Sequence, residues 1–256
     1  MIASLMMYQR PQLIKAHFRY WALIRSELTK IGIASPNTLS QDAEEFFVWR
    51  HPDLVLSQTC GMPYRMGLHN DVHLVGTPDY GLEGCLPGYY KSAIIVRADD
   101  PRTSIDEFEN AIFTYNQTIS QSGYAAPYWH VKPFGFWFRN KRHSGQHLLS
   151  ARMVADAQAD ITSLDAVTWR NLKKYEIFAK KLRVLDWTVA TPGLPLITSK
   201  KINPDGVFGA VAAAIDKLSE QDKNDLGLVG LVKIPSSKYR SIDNPDLPEC
   251  LMPPDY

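Results

Sequence analysis

No stretch of this 256-residue chain approaches the ~20 consecutive apolar positions that a membrane-crossing helix needs, so no spanning segment is expected. Excess charge is missing as well. Lys and Arg number 28 against 27 Asp and Glu, a net of +1, which removes the electrostatic footing for binding nucleic acid or an anionic membrane. Cysteine is scarce. Cys60, Cys85 and Cys250 form no Cys-x-x-Cys pair and, being odd in number, no disulfide framework. In a reducing cytosol they would be free thiols; Cys60 and Cys85, both in Gly-rich loops, could pair only in an oxidising compartment. Neither Gly-x-Gly-x-x-Gly nor a P-loop occurs, so no nucleotide cofactor, and no other cofactor, is expected. Met1 to Tyr8 shows no basic leader and no long apolar core. The expectation from the sequence as written is a cytoplasmic protein; the alternative is a periplasmic one from which a leader has been removed.

What the chain does have is apolar content, 45% of its residues, over a length that exceeds one typical domain. Short apolar runs alternate with amphipathic stretches. Ile2 to Met7 reads as a strand. Pro11 suits a first helical turn, and Leu13, Phe18, Trp21, Leu23, Ile24, Leu28 and Ile31 recur at helical spacing until Gly32. Ala43 to Trp49 reads as a helix, and Leu54 to Leu56, Val72 to Thr77 and Ala93 to Val96 as strands. From Asp99 the alternation restarts, which predicts two lobes. It has strands at Ala111 to Tyr115, Phe134 to Phe138, Ile161 to Leu164 and Leu182 to Trp187. Its helices are at Gly123 to Val131, Leu148 to Ala157 and Asp165 to Tyr175. Beyond the stiff connector Thr191-Pro192-Gly193-Leu194-Pro195, Val207 to Leu218 is an Ala-rich helix. The pattern leaves open which lobe owns Leu196 to Tyr239. The tail with Pro245, Pro248, Pro253 and Pro254 is expected to be irregular. Strand–helix alternation implies α/β architecture with helix-covered sheets.

The most informative stretch is Tyr115-Asn116-Gln117-Thr118-Ile119-Ser120-Gln121-Ser122-Gly123-Tyr124-Ala125-Ala126-Pro127. It sets hydroxyl and amide side chains where a strand hands over to a helix. A first helical turn has N–H groups without intrahelical acceptors and carries positive partial charge, so it suits an anion. Leu54-Val55-Leu56-Ser57-Gln58-Thr59-Cys60-Gly61-Met62-Pro63-Tyr64-Arg65 repeats the arrangement. In Ala159-Asp160-Ile161-Thr162-Ser163-Leu164-Asp165-Ala166-Val167-Thr168-Trp169 an Asp opens the helix, and the first strand ends in Met7-Tyr8. Each alone is an ordinary helix cap; four at strand ends in one chain suggest recognition.

Other clusters carry less. His69-Asn70-Asp71-Val72-His73 holds metal-type side chains, but alternation along a strand entry and the lack of further ligands favour capping or solvated roles, so no metal is expected. Cys60 beside a helix start, with His69, His73, His130 or His147 as base, sustains the alternative of a cytosolic enzyme or ligand sensor. Phe134, Phe136 and Phe138 share one strand face and read as core. Arg139, Lys141, Arg142 and His143 read as a solvated turn.

Taken in order, Leu56-Ser57-Gln58-Thr59-Cys60-Gly61-Met62-Pro63-Tyr64, Ser120-Gln121-Ser122-Gly123-Tyr124-Ala125-Ala126-Pro127, Gly145-Gln146-His147 with Ser150, and Ala159 to Asp165 resemble the phosphonate/phosphate/phosphite substrate-binding proteins of ABC transporters. The resemblance runs from about Ile2 to Tyr239. It implies the type II periplasmic-binding-protein fold: two α/β lobes, two mixed sheets flanked by helices, and a ligand cleft between the lobes. Lobe one would comprise residues 1–95 and 190–256, and lobe two residues 96–189. It implies a non-catalytic protein closing on a phosphate, phosphonate or related oxyanion, with an ABC-transporter permease as partner; a monomer is expected. Carried onto this chain, the oxyanion donors are Ser120, Gln121, Ser122 and Gly123 in lobe two, and Thr59 and Tyr64 with Tyr8 in lobe one. His147 and Asp165 complete the set. Phosphonate binders of this family often read Gly-Ser-His-acidic where this chain reads Gly145-Gln146-His147-Leu148, so the carboxylate that would meet a ligand ammonium there is absent.

Overall fold

The computed structural model describes residues 1–246. Its strands in chain order are β1 (Ile2–Ser4), β2 (Leu54–Gln58), β3 (Val72–Asp79), β4 (Tyr89–Tyr90), β5 (Ser92–Arg97), β6 (Ile112–Tyr115), β7 (Asn140–His143), β8 (Ile161–Asp165), β9 (Leu182–Trp187), β10 (Thr191–Pro192), β11 (Leu196–Ser199) and β12 (Gly230–Val232). The α-helices are α1 (Ile14–Lys30), α2 (Glu45–Trp49), α3 (Gly61–Met66), α4 (Ala126–Val131), α5 (His147–Ala155), α6 (Ala166–Tyr175), α7 (Pro204–Asp216), α8 (Glu220–Leu226) and α9 (Ser236–Arg240).

These elements group into two compact units. Unit one comprises Met1–Tyr89 and Pro192–Ile242; unit two comprises Tyr90–Thr191 and residues 243–246. The chain passes from one to the other within β4 and returns within β10. The expected passage after residue 95 falls inside β5, and β5 is hydrogen-bonded along its length to β8 and β9, so the whole strand lies in unit two. Asp243 groups with unit two because its carbonyl accepts the Trp129 indole N–H at 3.0 Å. Cys250 and Pro248, Pro253 and Pro254 of the proline-rich tail lie outside the described residues.

In unit one a five-stranded mixed sheet has the order β1-β2-β11-β3-β12. β1 and β2 are parallel, and β11 inserts antiparallel to both β2 and β3. That insertion assigns the segment after the proline-rich connector to unit one. Every residue of β2 is buried because helices cover both faces. On one face, Tyr20, Trp21, Ile24 and Leu28 of α1 and Val207, Val211 and Ala214 of α7 pack over Val55, Val75 and Leu196. On the other, Trp49, Tyr64, Leu68 and Tyr239 pack over Leu54 and Ile197. The buried stripe of α1 passes through His17 and Tyr20, leaving Phe18 and Ile31 about half exposed although both fit the apolar spacing.

Unit two carries a second five-stranded mixed sheet, β7-β6-β8-β5-β9. Alternation along β5 sends Ala93 and Ile95 to a core with Leu164, Trp169 and Leu172, and Ile94 and Val96 to one with Phe108, Phe113 and Phe138. The expected strand from Phe134 to Phe138 does not form. Lys132–Phe134 is a 3-10 turn, Gly135 follows with φ +85°, and the strand begins at Asn140 instead. Phe134 is exposed, while Phe138 is buried and stacks on Phe113 at 4.7 Å. The basic residues Lys141, Arg142 and His143 belong to the exposed edge strand β7.

Candidate functional site

In unit two the chain leaves β6 at Tyr115 and enters the helix that ends in α4. Ser120 caps that helix. Its Oγ accepts the Gly123 N–H at 3.0 Å. Its carbonyl accepts two N–H groups, from Tyr124 at 3.1 Å and Ala125 at 3.0 Å. The longer of these loops winds the first turn, Gln121–Ala125, as a π-helix, a geometry that recurs at functional positions. Ser120, Gln121 and Ser122 are all buried, so their polar groups need partners within the protein or from a ligand.

One helix and one strand supply partners for Ser122. Its Oγ lies 3.0 Å from His147 Nε2, on the first residue of α5. Its carbonyl accepts the Ser163 hydroxyl of β8 at 2.7 Å. Asp165, at the end of β8, caps α6 by accepting the Thr168 N–H at 2.8 Å, and its second oxygen lies 3.8 Å from His147 Nε2. Burial holds the His147 pKa below its ordinary value, against the opposing pull of the Asp165 carboxylate and the Ser163 carbonyl. The tautomer sets the direction of the contact: with the proton on Nε2, where a carboxylate oxygen lies 3.8 Å away, Ser122 accepts from His147 and keeps its own O–H as a donor.

Ser122, His147 and Asp165 share the residue types of a hydrolytic triad but not its wiring. A triad binds the serine at one ring nitrogen and the carboxylate at the other. Here both address Nε2, and the buried Nδ1 has no hydrogen-bond partner. The arrangement orients a hydroxyl and does not relay a proton away from it.

A side chain at Gly123 would force its neighbours to move. A Cβ there would stand 1.9 Å from Asn116 Oδ1 and 3.0 Å from His147 Cε1. The structure thus brings Ser120, Gln121, Ser122, Gly123, His147 and Asp165 together within unit two. Ser163 and Asn116 join them without having been singled out in the sequence. The available signal for Ser163 was a hydroxyl inside a strand buried at all five positions.

In unit one, Tyr8 ends the 3-10 turn after β1 and Thr59 follows β2 directly. Because those strands are parallel, both residues lie at the same edge of the sheet, beyond the carboxyl ends of the strands. The Tyr8 ring meets Tyr80 edge-on at 5.2 Å. Thr59 is fully buried; its N–H donates to the Pro195 carbonyl at 2.9 Å, and its Oγ1 has no hydrogen-bond partner. Tyr64 lies inside α3 with its hydroxyl donated to Ser236 Oγ at 2.9 Å and its ring against Tyr239. Cys60 occupies the N-cap position of α3 and is buried. Among the described residues no group of three His, Cys, Asp or Glu could hold a metal ion, the His69–His73 segment included. No helix among them is long and apolar enough to cross a membrane.

Residues 58–244 match the family of periplasmic phosphonate substrate-binding proteins of ABC transporters. The chain belongs to that family. Its members are substrate-binding proteins, which sets aside the enzymatic alternative built on Cys60 or a histidine. No curated protein matches the chain. Among solved structures it is similar to PhnD1 of Prochlorococcus marinus in complex with methylphosphonate, at TM-score 0.70 and 16% identity over 94% of each chain. It is similar also to XAC2383 of Xanthomonas citri bound to ATP, at TM-score 0.65 and 14% identity over 94% of this chain and 93% of that one. A binding protein component of a Pseudomonas aeruginosa ABC phosphonate transporter gives TM-score 0.64 and 16% identity, covering 91% of this chain and 80% of its own. At such identities these likenesses speak for the fold, which is that of the type II periplasmic binding proteins.

Proposed function

We propose that the protein binds a small phosphorus oxyanion, a phosphate, a phosphonate or a related ester, at the helix start formed by Ser120, Gln121, Ser122 and Gly123. The observation that carries this reading is the buried Ser122 hydroxyl at a helix start, 3.0 Å from His147 Nε2. Neutral donors at a helix start hold an oxyanion without bringing a counter-charge that must itself be desolvated. His147 fixes the hydroxyl and Asp165 fixes His147. Tyr8, Thr59 and Tyr64 are the proposed contributions of unit one, with Thr59 the strongest of the three because its buried Oγ1 lacks a partner. The methylphosphonate reported for PhnD1 supports the ligand class. On this reading the protein works in the periplasm and delivers its ligand to an ABC-transporter permease.

Titration calorimetry with phosphate, phosphite and methylphosphonate tests the reading. The wild type is expected to bind at least one of them, and the double variant Ser120→Ala, Ser122→Ala to lose that binding. Silence in the wild type would remove the ligand class, and unchanged affinity in the double variant would remove the site.

A further inference from the structure

Asp165 caps α6 with one of its two carboxylate oxygens. Oδ1 accepts the Thr168 N–H at 2.8 Å. Oδ2 accepts no hydrogen bond among the described residues. His147 Nε2 stands 3.8 Å from it, an electrostatic neighbour outside hydrogen-bond reach, and no Lys or Arg among those residues pairs with it. Asp165 is 2% exposed. A buried carboxylate oxygen without a donor is costly, and capping alone would be served by Asn, Ser or Thr without a charge. The same His147 nitrogen lies 3.0 Å from Ser122 Oγ. The uncommitted carboxylate oxygen and the hydroxyl proposed to meet the anion therefore flank one ring atom, all within unit two.

An oxyanion held by Ser122 lies beside that carboxylate. Two anionic oxygens with no proton between them repel. With a proton on the ligand, the same approach becomes a charge-assisted O–H···O hydrogen bond, among the strongest that a protein makes. We infer that the unit-two site selects oxyanions that carry a proton, hydrogen phosphate and hydrogen phosphonates, and rejects sulfate and sulfonates, with Asp165 Oδ2 accepting the ligand's O–H. The inference rests on the oxyanion reading above and narrows it. Neither shape nor charge could sort these anions. At neutral pH sulfate matches hydrogen phosphate in both, and methanesulfonate matches the hydrogen methylphosphonate anion in both. The sulfur compounds lack only the proton. The helix start meets the bare oxygens of either kind with N–H and O–H donors, so discrimination falls to the one group that accepts.

Calorimetry on the full chain at neutral pH, with phosphate against sulfate and methylphosphonate against methanesulfonate, tests this. The wild type should bind each phosphorus anion about tenfold to a hundredfold more tightly than its sulfur counterpart, the range for one hydrogen bond to a charged group. Asp165→Asn keeps an oxygen for the Thr168 cap and removes the charge. It should bring each pair to within about threefold, chiefly by admitting the sulfur anions. Asp165→Ser keeps the cap without a second oxygen and serves if the amide variant folds poorly; the wild-type comparison needs no variant. Equal wild-type affinity within each pair would overturn the inference, and so would a preference that survives in both variants. Tighter binding of 2-aminoethylphosphonate than of methylphosphonate by the wild type, lost in the variants, would give the carboxylate to a cation instead. If the wild type binds no phosphorus anion, the oxyanion reading itself fails, a result distinct from binding both kinds alike.

Discussion

The Ser122 hydroxyl and His147 Nε2 stand 3.0 Å apart. Their separation in sequence is 25 residues, and the first residue of α5 brings the second against the first. The pair has a specific consequence for binding. With the imidazole donating, the serine O–H is aimed by the protein before any ligand arrives, and its hydrogen bond to an anion is of the charge-assisted kind, about 1.5–3 kcal/mol.

Ser122→Ala should therefore weaken oxyanion binding by about tenfold to a hundredfold, measured by calorimetry, and should lower the melting temperature because it leaves the buried His147 Nε2 without its partner. Ser120→Ala removes the acceptor of the Gly123 N–H, a helix cap, and should cost about 1 kcal/mol of stability as well as affinity. Unchanged affinity in both variants would show that neither hydroxyl meets the ligand.

Gly123→Ala should be poorly tolerated. The added Cβ would stand 1.9 Å from Asn116 Oδ1, closer than any real contact, and 3.0 Å from the His147 ring. Overpacking of this kind costs about 1–3 kcal/mol. It would also displace the imidazole that aims Ser122, so affinity should fall at least tenfold. Adding Asn116→Ala should recover part of the stability. A Gly123→Ala protein that melts and binds like the wild type would show that the turn adapts freely.

The Ser120 cap was legible in the sequence because capping chemistry is local: hydroxyl, two residues, glycine. The convergence on Ser122 was not, since Ser163 lies 41 residues away and its role depends on how β8 is placed beside the turn. Asp165 was legible as the residue that opens a helix at a strand end, whereas the place of His147 in the ligand set came from a family resemblance. β11 was hidden for a local reason. Its four residues follow Pro192 and Pro195, and its central place in the sheet comes from pairing with strands more than a hundred residues earlier. The aromatic alternation from Phe134 to Phe138 misled because period two is also produced by a turn whose glycine takes a positive φ. His17 was overlooked because a polar residue inside an apolar stripe does not announce that it is buried.

Tyr239→Phe should destabilise unit one. The hydroxyl is 1% exposed with the rest of its side chain, donates to the Gly193 carbonyl at 3.0 Å and lies 2.5 Å from Thr77 Oγ1. Removing it leaves a buried carbonyl and a buried hydroxyl without their partner, which costs about 1–3 kcal/mol. The melting temperature should drop by several degrees, and an unchanged value would show that water replaces the phenol.

Acid should weaken the fold through His17. Its pKa is 6.5 in the unfolded chain and about 4 in the folded one. Between those values the unfolded state binds the proton more tightly, so the stability linked to this residue is full above pH 6.5 and is lost as the pH falls towards 4. The difference amounts to about 3 kcal/mol. His147, also lowered by burial, acts in the same direction. Chemical denaturation at a series of pH values should show the wild type losing stability over that window, and His17→Phe should flatten much of the decline. Identical acid profiles for the two proteins would mean that His17 is solvated, or gains a partner on protonation, and that its burial carries no proton linkage.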